Sequence, residues 1–313
     1  TIIKEYFEMV EVGKFTLESL TTGMYSDPRI VYREYIQNSV DSIENAVAEG
    51  LMSNEDAYIK VFIDAENGCI SIIDNGKGIS VARATNVLLS IGKSTKRQDA
   101  NRGFRGIGRL GGLSYCERLS FTTSVQGEDV ATRIIFDCKL LKSLLSPDHE
   151  EELDLQSVIE RITEVEEIDA DKDDHFFRVD MDEVDSSSEL LDLDEIKQYL
   201  SEVAPVPYDE RHFVVAPEIK RFLNEHDYTL TEFKIFIGYD EDHLKQVHKP
   251  NRYRFRSDRN QRTEDVITEV VTFSIDLDST SSLLGWYGRC NWNGTLSDNG
   301  LLGMRMRLGN ILI

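Results

Sequence analysis

The chain has 313 residues, 40% of them apolar and 9% aromatic, enough for two domains that each bury a core. Its net charge of −22 at pH 7 argues for good solubility and against a chain-wide affinity for nucleic acid or an anionic membrane. Four scattered cysteines (Cys69, Cys116, Cys138, Cys290) form no CxxC pair, the six histidines show no metal-ligand spacing, and neither a signal-peptide pattern nor a membrane-length apolar run is present. Reduced, mostly buried thiols in a cytoplasmic protein are therefore expected.

The first strong element is "SDPRIVYREYIQNSVDSIENAVAEG", a helix. Ser26 or Asp27 suits its cap, Pro28 its first turn and Gly50 its C-terminal stop. "AYIKVFID-AENG-CISIIDNGKG" reads as a hairpin turning through Asn67-Gly68. "SVARATNVLLSIG" reads as a helix, and "RLSFTTSV" and "ATRIIFD" as a strand pair joined by "QGED". This order predicts an α+β layer sandwich, not a βαβ repeat.

From Asp148 to Glu210 there are 24 Asp and Glu against 4 Lys and Arg, nearly the whole charge excess. "EVEEIDADKDD" and "DEVDSSSELLDLDE" within it read as solvated loops around short elements, an acidic insertion near 148–200. The prolines of "EVAPVPYDE" resist helix and central strand, so domains at 1–204 and 205–313 are expected. Beyond them, "APEIKRFLNEHD" reads as a helix. "TEFKIFIGY", "VITEVVTFSIDLD", "LLGWYGRC" and "GMRMRLGNILI" read as strands. The last ends on an apolar run, as if its domain continued. The basic stretch "KQVHKPNRYRFRSDRNQR" (245–262) would place arginines on one face of a strand and aromatics on the other. It is either a nucleic-acid contact or, as favoured here, an exposed face of a half-buried strand.

Three features carry chemistry. Glu34, Asn38 and Asp41 fall on one helix face, which suits magnesium beside a general base, or else a solvated polar face. "IIDNGKGI" ends a strand in Asp74, Gly76 and Gly78. It offers an acceptor-only carboxylate beside backbone that can approach a flat ring, or else a plain hairpin exit. "NRGFRGIGRLGG" (101–112) has the makings of a phosphate cradle. It is not a Walker A loop, because Val87 stands where "IGKST" would need glycine, and it does not follow a strand as a dinucleotide fingerprint must.

Taken in order over roughly residues 15–140, these blocks resemble the GHKL ATPase superfamily of DNA gyrase, heat-shock-ninety chaperones, histidine kinases and MutL. The resemblance implies a Bergerat-type ATP-binding α/β sandwich followed by part of a mixed α/β transducer (middle) domain. It makes Glu34 the base that activates water, which favours the hydrolysing branches, and Asn38 the magnesium ligand. Asp41 becomes a second acid near the nucleotide. Asp74 reads the adenine amine, with Gly76, Gly78 and Ile79 beside the base. Lys93 and Ser94 start a lid, Gly103, Arg105, Gly106, Ile107 and Gly108 hold phosphates, and Thr132 stands near adenine. "GFRG" looks like the MutL lid, and "GIGRLGG" like the heat-shock-ninety and MORC side. The expectation is a magnesium-dependent ATPase most like a prokaryotic heat-shock-ninety-related protein, with lid closure, ATP-linked homodimerisation and a protein client. The alternatives are a DNA-linked MutL or MORC-type ATPase and a non-hydrolysing ATP sensor. Arg289, Arg305 and Arg307 are candidates for a second-domain cation on the γ-phosphate, unless that residue lies past Ile313.

Overall fold

The computed structural model describes residues 27–89, 108–146, 153–255, 265–278, 281–291, 304–308 and 310–312. The chain forms two compact units, Thr1–Lys197 with Ile235–Gln246, and Gln198–Lys234 with Val247–Ile313.

In the first unit the leading helix is α1 (Ile30–Ala48). Asp27 sits just ahead of it. Its Oδ1 accepts the Arg29 N–H at 2.9 Å and its backbone carbonyl accepts from Ile30, so it caps a tight turn before the α-helix proper. Ser26 lies outside the described residues. Gly50 stops the helix in the left-handed region at φ 74°, as its position in the sequence suggested. The apolar stripe of α1 buries Tyr32, Tyr35, Ile36, Val40 and Ile43, which leaves Glu34, Asn38 and Asp41 half-buried on another face.

The expected hairpin is β1 (Ile59–Asp64) with β2 (Cys69–Asp74), in strict alternation of buried and half-buried residues and with Ile59 opposite Asp74. Helix α2 (Val81–Leu89) follows. A 3-10 helix, Gly108–Ser114, leads into β3 (Arg118–Ser124), and β4 (Val130–Asp137) returns antiparallel to it. Helices α3 (Cys138–Leu145) and α4 (Leu155–Ile162) come next, each capped by the aspartate before it, Asp137 and Asp154.

The acidic segment departs from the loop reading. Thr163–Asp169 is a strand, β5, and Phe176–Asp182 is another, β6, which lies between β3 and β2 inside the sheet. β5 is an edge strand. It needs a ladder to β4 on one side only, and its carboxylates face water, where they also discourage further strand pairing. β6 tolerates its acids because they alternate with Val179 and Met181, which are buried. A short 3-10 turn, Glu189–Leu191, then precedes α5 (Leu193–Val203). Strand β7 (Ile235–Gly238) joins the first unit's sheet parallel to β1, followed by the two-residue β8 (Lys245–Gln246). The sheet order is β5-β4-β3-β6-β2-β1-β7-β8, and every neighbouring pair but β1–β7 is antiparallel. All of β3 after Arg118 is buried, so the sheet is covered on both faces there. This is the mixed α/β sandwich anticipated from the sequence.

The second unit has α6 (Ala216–Glu225), an antiparallel sheet of β9 (Arg254–Phe255), β10 (Asp265–Asp276) and β11 (Ser282–Cys290), and a small hairpin of β12 (Arg307–Leu308) and β13 (Ile311–Leu312). Phe213, Ala216, Ile219 and Ile267 form its core, and the rings of Tyr208 and Trp286 lie about Phe213.

Candidate functional site

The site is built from α1 and the chain that leaves β2. β2 ends on Asp74, which is 1% exposed. Its Oδ1 accepts the Gly76 N–H at 2.9 Å, and Ser39 and Ser42, three apart on α1, stand near the carboxylate and favour its charged form. Its Oδ2 has no hydrogen-bond partner among the described residues. Burial dominates these bonds and pushes the Asp74 carboxyl up to about 7. A buried acceptor without a donor is costly unless a ligand supplies one, and an exocyclic amine fits that need.

The turn after Asp74 is held from several sides. Lys77 N–H donates to the Ser42 carbonyl at 3.1 Å, and His175 Nδ1 donates to the Gly76 carbonyl at 2.8 Å. Gly78 adopts φ 68°, and a β-carbon there would run into the carbonyls of Ser124 and Phe176, so only glycine fits. Ile79 N–H donates to Thr123 Oγ1 at 2.8 Å, and that hydroxyl donates to the Phe176 carbonyl at 3.0 Å. The start of β6 therefore walls the Asp74 turn. His175, Phe176 and Thr123 were missed in the sequence. The one available signal was the hydroxyl run Thr122-Thr123-Ser124 at the end of β3, and all three are buried.

Glu34 meets the C-terminal end of the glycine-rich stretch 101–112. A β-carbon on Gly108 would collide with the Glu34 carboxylate, so this glycine admits the acid against the backbone. Tyr35 OH donates to the Arg109 carbonyl at 3.0 Å and accepts the Gly112 N–H at 3.1 Å, which ties the 108–114 turn to α1. Arg109 Nε donates to the Leu88 carbonyl at 3.2 Å, so this arginine joins the end of α2 to the 108–114 turn. Lys93, Ser94, Gly103, Arg105, Gly106 and Ile107 lie outside the described residues.

The structure brings Glu34, Asn38 and Asp41 to one face of α1 and gathers Asp74, Gly76, Gly78 and Ile79 at one turn, which α1 supports through Ser39 and Ser42. It does not bring Thr132 to Asp74. Register runs Asp74, Phe177, Thr123, Thr132 across β2, β6, β3 and β4, three strand spacings or about 14 Å. The strands on either side of Asp74 are β1 and β6, and β6 was not legible in the sequence. Thr132 is 2% exposed and its Oγ1 has no partner among the described residues. For magnesium, Asn38 is the available amide oxygen. Among the described residues no group of three or more His, Cys, Asp or Glu is placed to hold a metal.

Residues 25–171 match the model of the histidine kinase-, DNA gyrase B- and HSP90-like ATPases. These residues belong to the GHKL ATPase superfamily. They run from before α1 to just past β5. Chaperone protein HtpG of Acinetobacter baylyi is 34% identical over 100 residues, which are 30% of this chain and 16% of that protein. The HtpG of Clostridium botulinum is 31% identical over 110 residues, 32% of this chain and 18% of its own. That of Rickettsia rickettsii is 28% identical over 137 residues, 38% and 22%. The chain thus spans about a fifth of the length of the curated relatives it matches. No helix among the described residues is long and apolar enough to cross a membrane.

Proposed function

We propose that this GHKL domain binds ATP with magnesium and hydrolyses it, as a heat-shock-ninety-like ATPase whose lid closes and whose N-terminal domains pair on nucleotide. The observation that carries the reading is the buried Asp74 carboxylate, with one oxygen bonded to its own turn and the other without a donor among the described residues. Adenine offers that donor, and Gly76 and Gly78 let the turn pack closely against Ser42, Ser124 and Phe176 beside it. Glu34, on the helix that also braces Asp74, takes the proton of the attacking water. Asn38 would hold magnesium, which when bound neutralises charge on the phosphates. Asp41 lies one turn further along the same face. Backbone amides of the 103–108 loop would stabilise the transferring phosphoryl group, with Arg105 and the start of the lid at Lys93 and Ser94 closing over it. Residues 1–204 would form the nucleotide-binding domain and 205–313 the start of a transducer domain, although Ile235–Gln246 belongs to the first compact unit. A cytoplasmic location and a protein client complete the reading.

Of the candidate second-domain cations, Arg289 pairs with Glu269 at 2.8 Å, Arg305 with Glu202 at 3.3 Å, and Arg307 donates to the Glu202 and Asn310 carbonyls. The DNA-linked reading has less support. Among the described residues of the basic stretch Lys249 is 4% exposed, and the exposed Arg252 and Arg254 flank a half-buried Tyr253, as on the outer face of a packed strand; residues 256–262 lie outside the described residues.

The deciding experiment measures ATP binding and magnesium-dependent turnover, with and without DNA, for the wild type and Glu34→Ala. The reading expects Glu34→Ala to bind ATP and lose turnover, and DNA to leave turnover unchanged. A silent wild type with tight ATP binding would select the sensor reading, and normal turnover by Glu34→Ala would remove Glu34 from its role.

A further inference from the structure

Cys116 and Cys138 stand 22 residues apart in sequence, yet their Sγ atoms lie 3.9 Å from each other. They are 1% and 0% exposed. The contact is set by the sheet. Arg118 pairs with Asp137 at the end of the β3–β4 ladder, and Cys138 N–H donates to the Glu117 carbonyl at 2.9 Å, so the chain on either side of that ladder end is held together. Cys116 follows the 108–114 turn, and its thiol donates to the Gly112 carbonyl at 3.3 Å. The Cys138 thiol reaches the Phe136 carbonyl at 3.6 Å. Lys142 Nζ donates to the Cys116 carbonyl at 3.0 Å, which puts a cation beside a pair of otherwise buried thiols.

We propose that Cys116 and Cys138 are a reversible dithiol–disulfide pair, oxidised by a small hydroperoxide, whose bond resets the 108–114 turn beside Glu34. In the first step one thiolate attacks a peroxide oxygen. The O–O bond breaks, an alcohol or water leaves, and a sulfenic acid remains. The second thiolate then attacks the sulfenic sulfur, and hydroxide leaves as water. Overall two thiols and one hydroperoxide give one disulfide, one alcohol and one water. Local opening admits a peroxide-sized oxidant to buried sulfur. The sulfurs must close from 3.9 Å to a bond of about 2.05 Å, so the backbone on one side has to yield. The bond also removes the thiol donor from the Gly112 carbonyl. Gly112 holds Tyr35 OH, which holds the Arg109 carbonyl next to Gly108, against which the Glu34 carboxylate packs. The contact with Cys138 and burial push the Cys116 thiol up, so the reduced pair is expected to resist mild oxidants and respond to sustained exposure.

The test uses the full chain carrying Cys69→Ser and Cys290→Ser, exposed to hydrogen peroxide, then denatured, alkylated and mapped by mass. The expected result is a loss of two hydrogens, a cross-linked peptide pair holding residues 116 and 138, and restoration by dithiothreitol. Hydrogen exchange over 108–115 should change severalfold in the oxidised form, and not in a Cys138→Ala variant treated alike. The proposal is overturned by full alkylation of both thiols at exposures that oxidise Cys69 in the wild type. Addition of oxygen to one sulfur without a cross-link overturns it too, as does a cross-link that leaves exchange over 108–115 unchanged. Any effect on turnover rests on Glu34 as the base. The cross-link and the exchange are read without ATP, so failure of that reading leaves this result standing.

Discussion

Among the described residues each unit buries one acidic or basic side chain, Asp74 in the first and Lys249 in the second, and the two are handled in opposite ways. In the first unit Asp74 keeps one oxygen without a donor among the described residues, and burial holds its carboxyl up at about 7. In the second, Lys249 donates to Asn310 Oδ1 at 2.6 Å and lies over the Tyr208 ring, while burial pulls its ammonium down to about 6. Asn310 is itself tied to the Thr231 carbonyl at 2.9 Å. The lysine is thus accommodated within the protein, whereas the aspartate is left half satisfied. That difference separates a structural buried charge from one that waits for a ligand.

The largest effect tests the ligand side. Asp74→Asn should weaken ATP binding by about 100-fold or more, because an amide N–H2 can replace the acceptor facing the adenine amine. The same variant without ligand should be at least as stable as the wild type at pH 8, since it no longer buries a carboxylate. Calorimetric titration beside thermal melts reads both, and binding within threefold of wild type would sink the assignment. Next comes Glu34→Ala, with turnover down by about 100-fold or more and ATP affinity kept.

The pH dependence of stability should split the two buried groups. Asp74 has a folded pKa above its unfolded value, so the folded chain holds more protons between about pH 4 and 7, and stability falls as pH rises through that window. Lys249 has a folded pKa below its unfolded value, so the unfolded chain holds more protons between about pH 6 and 10, and stability rises with pH there. Each slope is at most about 1.4 kcal/mol per pH unit. Asp74→Asn should remove the falling contribution and Lys249→Met the rising one, as read by urea melts across pH. If neither substitution alters its slope, the contrast between the two sites is wrong. The smallest effect is expected at Thr132. Three strand spacings from Asp74, Thr132→Val should change ATP affinity less than about threefold.

Much of the first unit was legible because its signals are local. The periodicity of α1, the alternation of β1 and β2 and the turn glycines all depend on near neighbours, and they put Asp74, Gly76 and Gly78 together at the end of one strand. Glu34, Asn38 and Asp41 were legible for the same reason, as spacing along one helix. β5 and β6 were not. Their acidic residues look like loop until the sheet supplies an edge for the one and, for the other, neighbours that cover Val179 and Met181. The family resemblance pointed to Thr132, which lies three strand spacings from Asp74, and His175 and Phe176 are the residues that reach the turn.

The sequence by itself determined which residues could do chemistry and the order in which they come, because helix and strand periods place side chains on faces without reference to the rest of the chain. Tertiary structure alone decided that β6 sits beside Asp74, that Gly108 makes room for Glu34, that Arg109 reaches the Leu88 carbonyl, and that Cys116 lies against Cys138. Strand order and close approach are long-range outcomes. They depend on which surfaces find each other, and no short stretch of residues encodes them.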